Sequence, residues 1–332
     1  MWKAGDLWGQ QRWTIGEKYC RISHITEIIR DNDQLTGNLL KKESNDTMAI
    51  RILTDSACDI MQDEAKRLGI EILPLHTTFG DTEYRDGYDL THDEFFEKLI
   101  ESDVLPTTSQ IPPYEYEKAF AEVRAAGDTA VCITLSSKLS GCCQSARIAA
   151  ADFADCIRVV DSENASLGQQ ILIRYAVSLR DAGKNADEIA DAVEEKKKKL
   201  RLIALLDTLE YLKKGGRISS AAAIAGTLLS IKPVIALEDG AVVMLGKARG
   251  SKNGNNMLSK LIQQSGGVDF SMPYTLAYSG LSDHLLRKYI ADSEALWRGQ
   301  TETLPVTTIG SAIGTHIGPG AIGAAFFVRT EG

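Results

Sequence analysis

The sequence has no surplus of basic residues and no apolar run long enough to cross a bilayer. Its 332 residues include 37 Lys and Arg against 45 Asp and Glu, which gives a formal net charge of −8. Nucleic-acid binding and polybasic membrane anchoring both need a basic surface, so this balance argues against both. The first residues also lack the basic-then-apolar order of a secretory signal. We therefore expect a cytoplasmic protein with no nucleic-acid partner and no integral membrane segment.

The sequence also lacks the spacings that mark metal and nucleotide sites. None of the six cysteines forms a Cys-x-x-Cys pair, and the five histidines show no metal-ligand spacing. The glycines near the C-terminus match neither the Walker nor the dinucleotide-binding pattern. We therefore predict no metal and no cofactor, and we interpret the cysteines as reduced, buried thiols.

Alternating strand and helix signals begin at Met48 and predict an α/β fold. Residues 48–160 are predicted to form an N-terminal domain with a doubly wound, mostly parallel sheet. Residues 161–332 change pattern and include a hairpin signal at Asp239-Gly240, which predicts a second, mixed α+β domain. Residues 1–47 carry three of the four tryptophans and no sustained periodicity. We interpret them as an accessory tail or a mis-assigned start.

Hydroxyl-rich loops are predicted after the strands of the first domain, where α/β proteins usually bind ligands. One contains Thr107-Thr108-Ser109 and another contains Ser140, each before a predicted helix. These hydroxyls either cap the helices or form a cradle for an anion or carboxylate. Residues 310–320 contain four glycines and His316, which we predict to lie in a loop after a strand. An imidazole in that position is a candidate hydrogen-bond partner for a ligand.

These motifs resemble, in order, those of the DegV family of fatty-acid-binding proteins, which includes the binding subunits of bacterial fatty acid kinases. The resemblance extends from Met48 to the C-terminal region. The segments that carry it are Thr54-Asp55-Ser56, Thr107 to Gln110, Ser137 to Gly141 followed by Gln144-Ser145-Ala146, Asp161-Ser162, Leu209 to Ile218, Ile231-Lys232-Pro233 and Gly314 to Gly320.

The resemblance implies a long-chain fatty acid in a tunnel between the two domains, with its carboxyl group held by Thr108, Ser140 and His316. In the family, a partner kinase uses ATP to convert the bound carboxyl group to an acyl phosphate for phospholipid precursor metabolism. Arg217 and Arg249 match arginines that are associated there with the partner or the transferred phosphate. The chain is then a lipid-binding subunit that is not catalytic alone.

Three details qualify what the resemblance implies. The segment Gly250-Ser251-Lys252 is less basic than the family often is at this point, which places kinase docking in question. The run from Ala221 to Leu229 is predicted as core packing or tunnel wall. Residues 1–47 have no counterpart in the family.

Two other functions are compatible with the residues. The first is a fatty-acid carrier or sensor without a kinase partner. The second is a free-standing phosphotransferase or hydrolase that uses Ser140 or His316 as its nucleophile. The sequence contains no recognisable ATP loop and no carboxylate beside His316, so the second has less support. Burial of a long acyl chain at about 0.8 kcal/mol per methylene favours lipid binding.

Overall fold

The computed structural model describes residues 48–218, 231–297 and 303–329. The predictions for residues 1–47 and for Ala221 to Leu229 lie outside these ranges. Residues Ala49–Gly332 cluster as one compact unit, so a domain boundary near residue 160 stays a prediction. Thirteen strands are described: β1 Ile50–Asp55, β2 Ile70–Leu73, β3 His76–Phe79, β4 Thr82–Arg85, β5 Thr107–Ser109, β6 Thr129–Thr134, β7 Ile157–Asp161, β8 Leu200–Leu205, β9 Ile231–Glu238, β10 Ala241–Arg249, β11 Thr275–Tyr278, β12 Val306–Thr308 and β13 Ile322–Phe327.

Ten α-helices connect and cover these strands in the described residues. Most of them follow a strand in the chain, as the alternating strand and helix signals predicted. Their bounds are α1 Gln62–Leu68, α2 His92–Glu101, α3 Pro113–Ala125, α4 Cys142–Ala150, α5 Ser166–Asp181, α6 Ala186–Lys196, α7 Glu210–Lys214, α8 Ser251–Gln264, α9 His284–Asp292 and α10 Ser311–Ile317.

The first sheet is four-stranded and parallel, in the order β2-β1-β6-β7. Its strands are short apolar runs, as expected for a sheet that is covered on both faces. From β1 the chain adds β2 on one side and β6 with β7 on the other, so the sheet is doubly wound as predicted. Ligands in such sheets bind at the switch point, outside the carboxyl ends of the strands where the order reverses. Here that point lies between β1 and β6.

The second sheet is six-stranded and mixed, in the order β10-β9-β8-β13-β11-β12. All of its neighbouring pairs are antiparallel except β11 and β12. The predicted hairpin joins β9 to β10, and Asp239 and Gly240 have φ values of 47° and 80°. Both values fit the primed turns that two-residue hairpins favour. The mixed second half is therefore confirmed.

A third, three-stranded sheet in the order β4-β3-β5 was not predicted. Thr107 to Ser109, predicted as a loop, form β5 and pair with β3, where Thr108 lies opposite Thr77. Three residues are too few to show an alternating pattern, so only the tertiary pairing reveals the strand. The pairing holds the backbone at Thr108 in a fixed position.

Lys197 is buried although its neighbours in sequence are typical of a solvated helix face. The run from Glu194 to Lys199 consists of acids and lysines, which a surface helix would expose, yet the Lys197 side chain is buried. Its ammonium group donates to the carbonyl oxygen of Asp161 at 2.8 Å and pairs with Glu194 and Glu163. Sequence pattern alone does not separate one anchored lysine from its exposed neighbours, because a long stem lets a lysine bury most of its length.

Among the described helices, none is both long enough and apolar enough to span a bilayer. The five cysteines in the described ranges are buried and unpaired, as predicted for reduced thiols.

Candidate ligand-binding site

A cavity of about 240 Å³ lies between the carboxyl ends of the first sheet and the inner face of the second. Residues that follow β1 and β6, among them Ala57 and Leu135, form one wall. The opposite wall comes from alternate residues of β8 and β9, such as Leu202 and Ile235. The helix α10 closes the space with Ile313 and its neighbours. The cavity therefore opens at the switch point and is mostly apolar.

Four of the five predicted site residues line this one cavity: Thr108, Ser140, Arg217 and His316. They come from β5, the loop after β6, the segment after α7 and the end of α10. Thr108 Oγ1 and His316 Nε2 are 2.9 Å apart, within hydrogen-bond distance. Segments separated by up to 208 residues in the chain thus bring hydroxyls, an imidazole and a guanidinium to one apolar space.

Gln110 explains why two of the hydroxyl-rich motifs belong together. Its side-chain amide donates to Ser145 Oγ at 3.0 Å and lies directly over Gly141. A Cβ at Gly141 would come within 1.8 Å of Gln110 Oε1, so a larger residue there would displace the Gln110 amide. Gln110 therefore connects β5, the strand that contains Thr108, to the turn that contains Ser140.

Ser140 has only weak partners within the protein. Its hydroxyl lies 3.3 Å from Cys142 Sγ and 3.4 Å from the backbone nitrogen of Cys142. Sulfur is a weak acceptor, so the hydroxyl remains available to a ligand in the cavity. Ser140 has no hydrogen bond to His316 in the described residues, and the arrangement lacks the nucleophile–base contact of a serine hydrolase.

The surroundings of His316 assign its tautomer. Nδ1 is buried without a hydrogen-bond partner, and a Cβ added to Gly215 would come within 2.2 Å of it. A buried N–H donor without a hydrogen-bond partner is less favourable than a buried acceptor nitrogen without one. We therefore treat Nδ1 as the unprotonated acceptor and assign the proton to Nε2. Nε2–H then donates to Thr108 Oγ1, and the hydroxyl hydrogen of Thr108 is free to point to a ligand. His316 orients Thr108 in this arrangement.

Burial, with the positive charge of Arg217 as the second cause, lowers the pKa of His316 from 6.5 to about 4. Such an imidazole binds a proton more readily in the unfolded chain, so stability falls as the pH drops from about 6.5 toward 4. At about 1.4 kcal/mol per pKa unit, the full effect is at most roughly 3 kcal/mol.

We expect His316→Asn to remove this part of the acid sensitivity. The wild-type protein should lose free energy of unfolding relative to the variant between pH 7 and pH 4.5, while the difference stays constant above pH 7. Urea titrations at several pH values measure it. The same difference at every pH would contradict the assignment of a neutral, buried imidazole.

The segment that contains His316 is a helix, which corrects the prediction of a glycine-rich loop. Ser311–Ile317 form α10, and the side chain of Phe95 leaves no room for a Cβ at Gly314. A Cβ there would lie 2.4 Å from Phe95 Cε1. The glycines of this segment read as loop signals in the sequence, but Gly314 permits close packing between two helices instead.

Two buried carboxylates hold the first residues of α10, and sequence reasoning missed both in this role. Asp59 Oδ1 accepts from the backbone nitrogen of Gly310 at 2.8 Å, and Asp59 also accepts from the Ser166 hydroxyl. Asp86 Oδ1 accepts from the nitrogen and the hydroxyl of Ser311 at 2.8 and 2.7 Å. Burial raises the pKa of Asp59. Neither aspartate has a sequence signal for this role, since their partners at the start of α10 lie more than 200 residues away.

The two predicted arginines occupy different environments. Arg217 lines the cavity and donates to the carbonyl oxygens of Leu139 and Gly215 at 3.1 and 2.6 Å. Within the described ranges, no carboxylate lies within ion-pair distance of Arg217. Arg249 is exposed at the end of β10, outside the cavity wall. The structure thus groups Arg217 with Thr108, Ser140 and His316, and leaves Arg249 apart.

Comparison with known proteins agrees with the motifs. The sequence profile described as "Uncharacterised protein, DegV family" matches residues 49–329. The chain belongs to the DegV family. A DegV domain-containing protein from Caldanaerobacter subterraneus is 34% identical over 281 residues, which cover 83% of this chain and 98% of the relative. One from Clostridium perfringens is 36% identical over 294 residues, which cover 84% and 98%.

Solved structures of other DegV proteins have the same fold. A DegV family protein from Thermus thermophilus, described as fatty acid binding, is 33% identical with a TM-score of 0.76. DegV from Bacillus subtilis, described as a fatty acid binding protein, is 29% identical with a TM-score of 0.73. Each alignment covers 85% of this DegV chain and 100% of the other protein. The predicted fold class and family are therefore confirmed.

Proposed function

We propose that this chain binds a long-chain fatty acid in the cavity, with the carboxyl group between Thr108, Ser140 and His316. The observation that carries the proposal is the uneven lining of the cavity: the hydroxyls of Thr108 and Ser140, the imidazole and the guanidinium lie close together in a mostly apolar space. Thermus and Bacillus relatives that are described as fatty acid binding support it.

The chemistry of the polar end suits a carboxyl group. A buried carboxyl without hydrogen bonds costs several kcal/mol, and the Thr108 and Ser140 hydroxyls supply donors. Hydroxyls also accept, so they hold the acid whether it is ionised or protonated. With roughly 0.8 kcal/mol gained per buried methylene, the apolar wall provides most of the affinity.

We further propose that the chain presents the bound acid to a partner kinase. A carboxylate oxygen would attack the γ-phosphorus of ATP held by the partner, so that an acyl phosphate forms and ADP leaves. The position of Arg217 at the polar end, without a carboxylate partner among the described residues, supports this step because a guanidinium binds phosphate well. Exposed Arg249 is then a candidate contact for the partner. The product would serve phospholipid precursor metabolism in the cytoplasm.

A carrier or sensor without a kinase partner is the second candidate. The less basic segment after Arg249, Gly250-Ser251-Lys252, favours it over the kinase subunit. A free-standing phosphotransferase or hydrolase has less support. Among the described residues, Nδ1 of His316 has no orienting partner, and Ser140 has no hydrogen bond to the imidazole.

Mass spectrometry of the denatured, purified protein tests lipid binding. We expect a long-chain fatty acid in near-stoichiometric amount, or its uptake when one is added to the stripped protein. A folded protein that neither contains a long-chain fatty acid nor takes one up would contradict the proposal. A second assay adds ATP and a bacterial fatty acid kinase subunit to the loaded protein. Acyl phosphate that forms only with both components supports presentation, whereas ATP turnover by the chain alone would favour a phosphotransferase.

A further inference from the structure

Three adjacent strands of the second sheet place small side chains in one line across its inner face. Ala204 of β8 pairs with Gly323 of β13, and Gly323 pairs with Ala277 of β11. All three residues line the cavity. We call them the small-residue row. On its other side the row continues to Ile235 of β9, which pairs with Ala204 and also lines the cavity.

Gly323 is not required by the backbone. It is absent from the glycines with positive φ, and it lies inside a strand where every residue is buried. Glycine in a strand costs about 0.5–1 kcal/mol relative to alanine and often marks the close approach of another group. A Cβ at Gly323 would lie 3.2 Å from Ala204 Cβ and 3.5 Å from Leu167 Cδ1. Ala204 and Leu167 both line the cavity, so the missing side chain keeps the cavity open.

Larger side chains border the row on β8, whereas the residues two positions before and after Gly323 are Ala321 and Ala325. Leu202 and Leu206 lie two residues before and after Ala204, point to the same side of the sheet and line the cavity. Leu167 of α5 covers the row from above. The row is therefore a shallow furrow in the inner face of the second sheet, with leucine side chains as its walls at β8 and alanines beside it at β13.

The two ends of the furrow differ. Ile235 packs with Leu212 and Ile218, which bracket the segment that contains Arg217. At the other end, Ile309 donates its backbone N–H to Tyr278, the neighbour of Ala277. Ile309 lies two residues before α10, and His316 lies five residues after the first residue of that helix, roughly 7.5 Å along its axis at 1.5 Å per residue. The Ile235 end is thus near the polar groups, and the Ala277 end is remote from them.

We propose that the distal part of the acyl chain crosses the second sheet along this row, and that side-chain size at Ala204, Gly323 and Ala277 sets the length of acid accepted. The inference rests on the proposed fatty-acid binding. Three strand spacings of about 4.8 Å separate Ile235 from Ala277, which gives about 14 Å. An extended chain advances slightly over 1 Å per carbon, so this distance accommodates roughly ten methylene groups.

A graded series of variants tests the row. The stripped protein and the variants Ala277→Leu, Gly323→Val and Ala204→Leu are titrated with straight-chain saturated acids from 8 to 18 carbons. We expect the longest tightly bound acid to shorten in that order. Each step corresponds to one strand spacing, or roughly four carbons. The methyl group added in Gly323→Ala is tight but tolerable, so this variant should weaken the binding of only the longest acids. It replaces Gly323→Val in the series if the valine variant does not fold.

Ala324→Val is the matched control. Ala324 follows Gly323 in β13, faces the opposite side of the sheet and packs in a different apolar cluster with Leu276 and Ile322. The Ala324→Val variant should keep the wild-type preference for acyl-chain length even if its free energy of unfolding is lower. Folded row variants that keep the wild-type preference for chain length would overturn the assignment. An equal loss of affinity for short and long acids would also overturn it. A wild-type protein that binds none of the acids would contradict the proposed function itself.

Discussion

Replacement of Asp86 by alanine should lower the free energy of unfolding by about 3 kcal/mol and weaken acid binding. Asp86 is buried and accepts two hydrogen bonds from Ser311 at the start of α10. Without it, a buried backbone N–H loses its partner, which costs about 1–3 kcal/mol, in addition to the lost hydroxyl bond. Because α10 also carries His316, a looser start of the helix should disturb the polar end of the cavity. Urea unfolding and acid titration measure the two effects.

Two variants distinguish the loss of the Asp86–Ser311 hydrogen bonds from a non-specific loss of stability. Asp86→Asn keeps an acceptor oxygen and should recover most of the stability. Asp89 lies three residues after Asp86, and its exposed carboxylate pairs with Arg85. Asp89→Ala should therefore change the free energy of unfolding and the acid affinity little. If Asp86→Ala behaved like Asp89→Ala, the buried carboxylates would not hold α10.

The second large effect concerns the two hydroxyls at the polar end. Thr108→Val and Ser140→Ala should each weaken fatty-acid binding about thirtyfold, since a hydrogen bond to a charged group contributes about 2 kcal/mol. If the two bonds act independently, the double variant should lose about a thousandfold. Valine has the shape of threonine, so Thr108→Val should leave the cavity volume unchanged. Isothermal titration with one long-chain acid measures the affinities.

Ser137→Ala provides the control in the same loop as Ser140. Ser137 is exposed and does not line the cavity. It should bind the acid like the wild-type protein. Unchanged affinity in the Thr108 and Ser140 variants would place the carboxyl group elsewhere in the cavity.

Most of the fold follows from local patterns in the sequence. The buried strands β1, β6 and β7 are apolar runs, and Thr91 with Glu94 forms a capping box at the start of α2, a pattern readable in the sequence. The hairpin between β9 and β10 follows from the conformational preferences of Asp-Gly. These features depend on residues close in sequence, which is why they are predictable from one chain.

The features that position the site depend on distant residues and were not predictable in the same way. Strand β5 exists because β3 pairs with it, and α10 is a helix because Phe95 and two aspartates from the first half pack against it. The roles expected for Thr108, Ser140 and His316 came from family resemblance. Their convergence on one cavity agrees with those roles, but the contact of each with a ligand stays a prediction.

A crystal structure with a saturated 16-carbon fatty acid would show where the acid binds. We predict carboxyl oxygens within about 3 Å of Thr108 Oγ1 and Ser140 Oγ. We also predict that the acyl chain passes over Gly323 and ends near Ala277. An empty cavity at saturating acid, or a carboxyl group at the Ala277 end, would contradict this prediction.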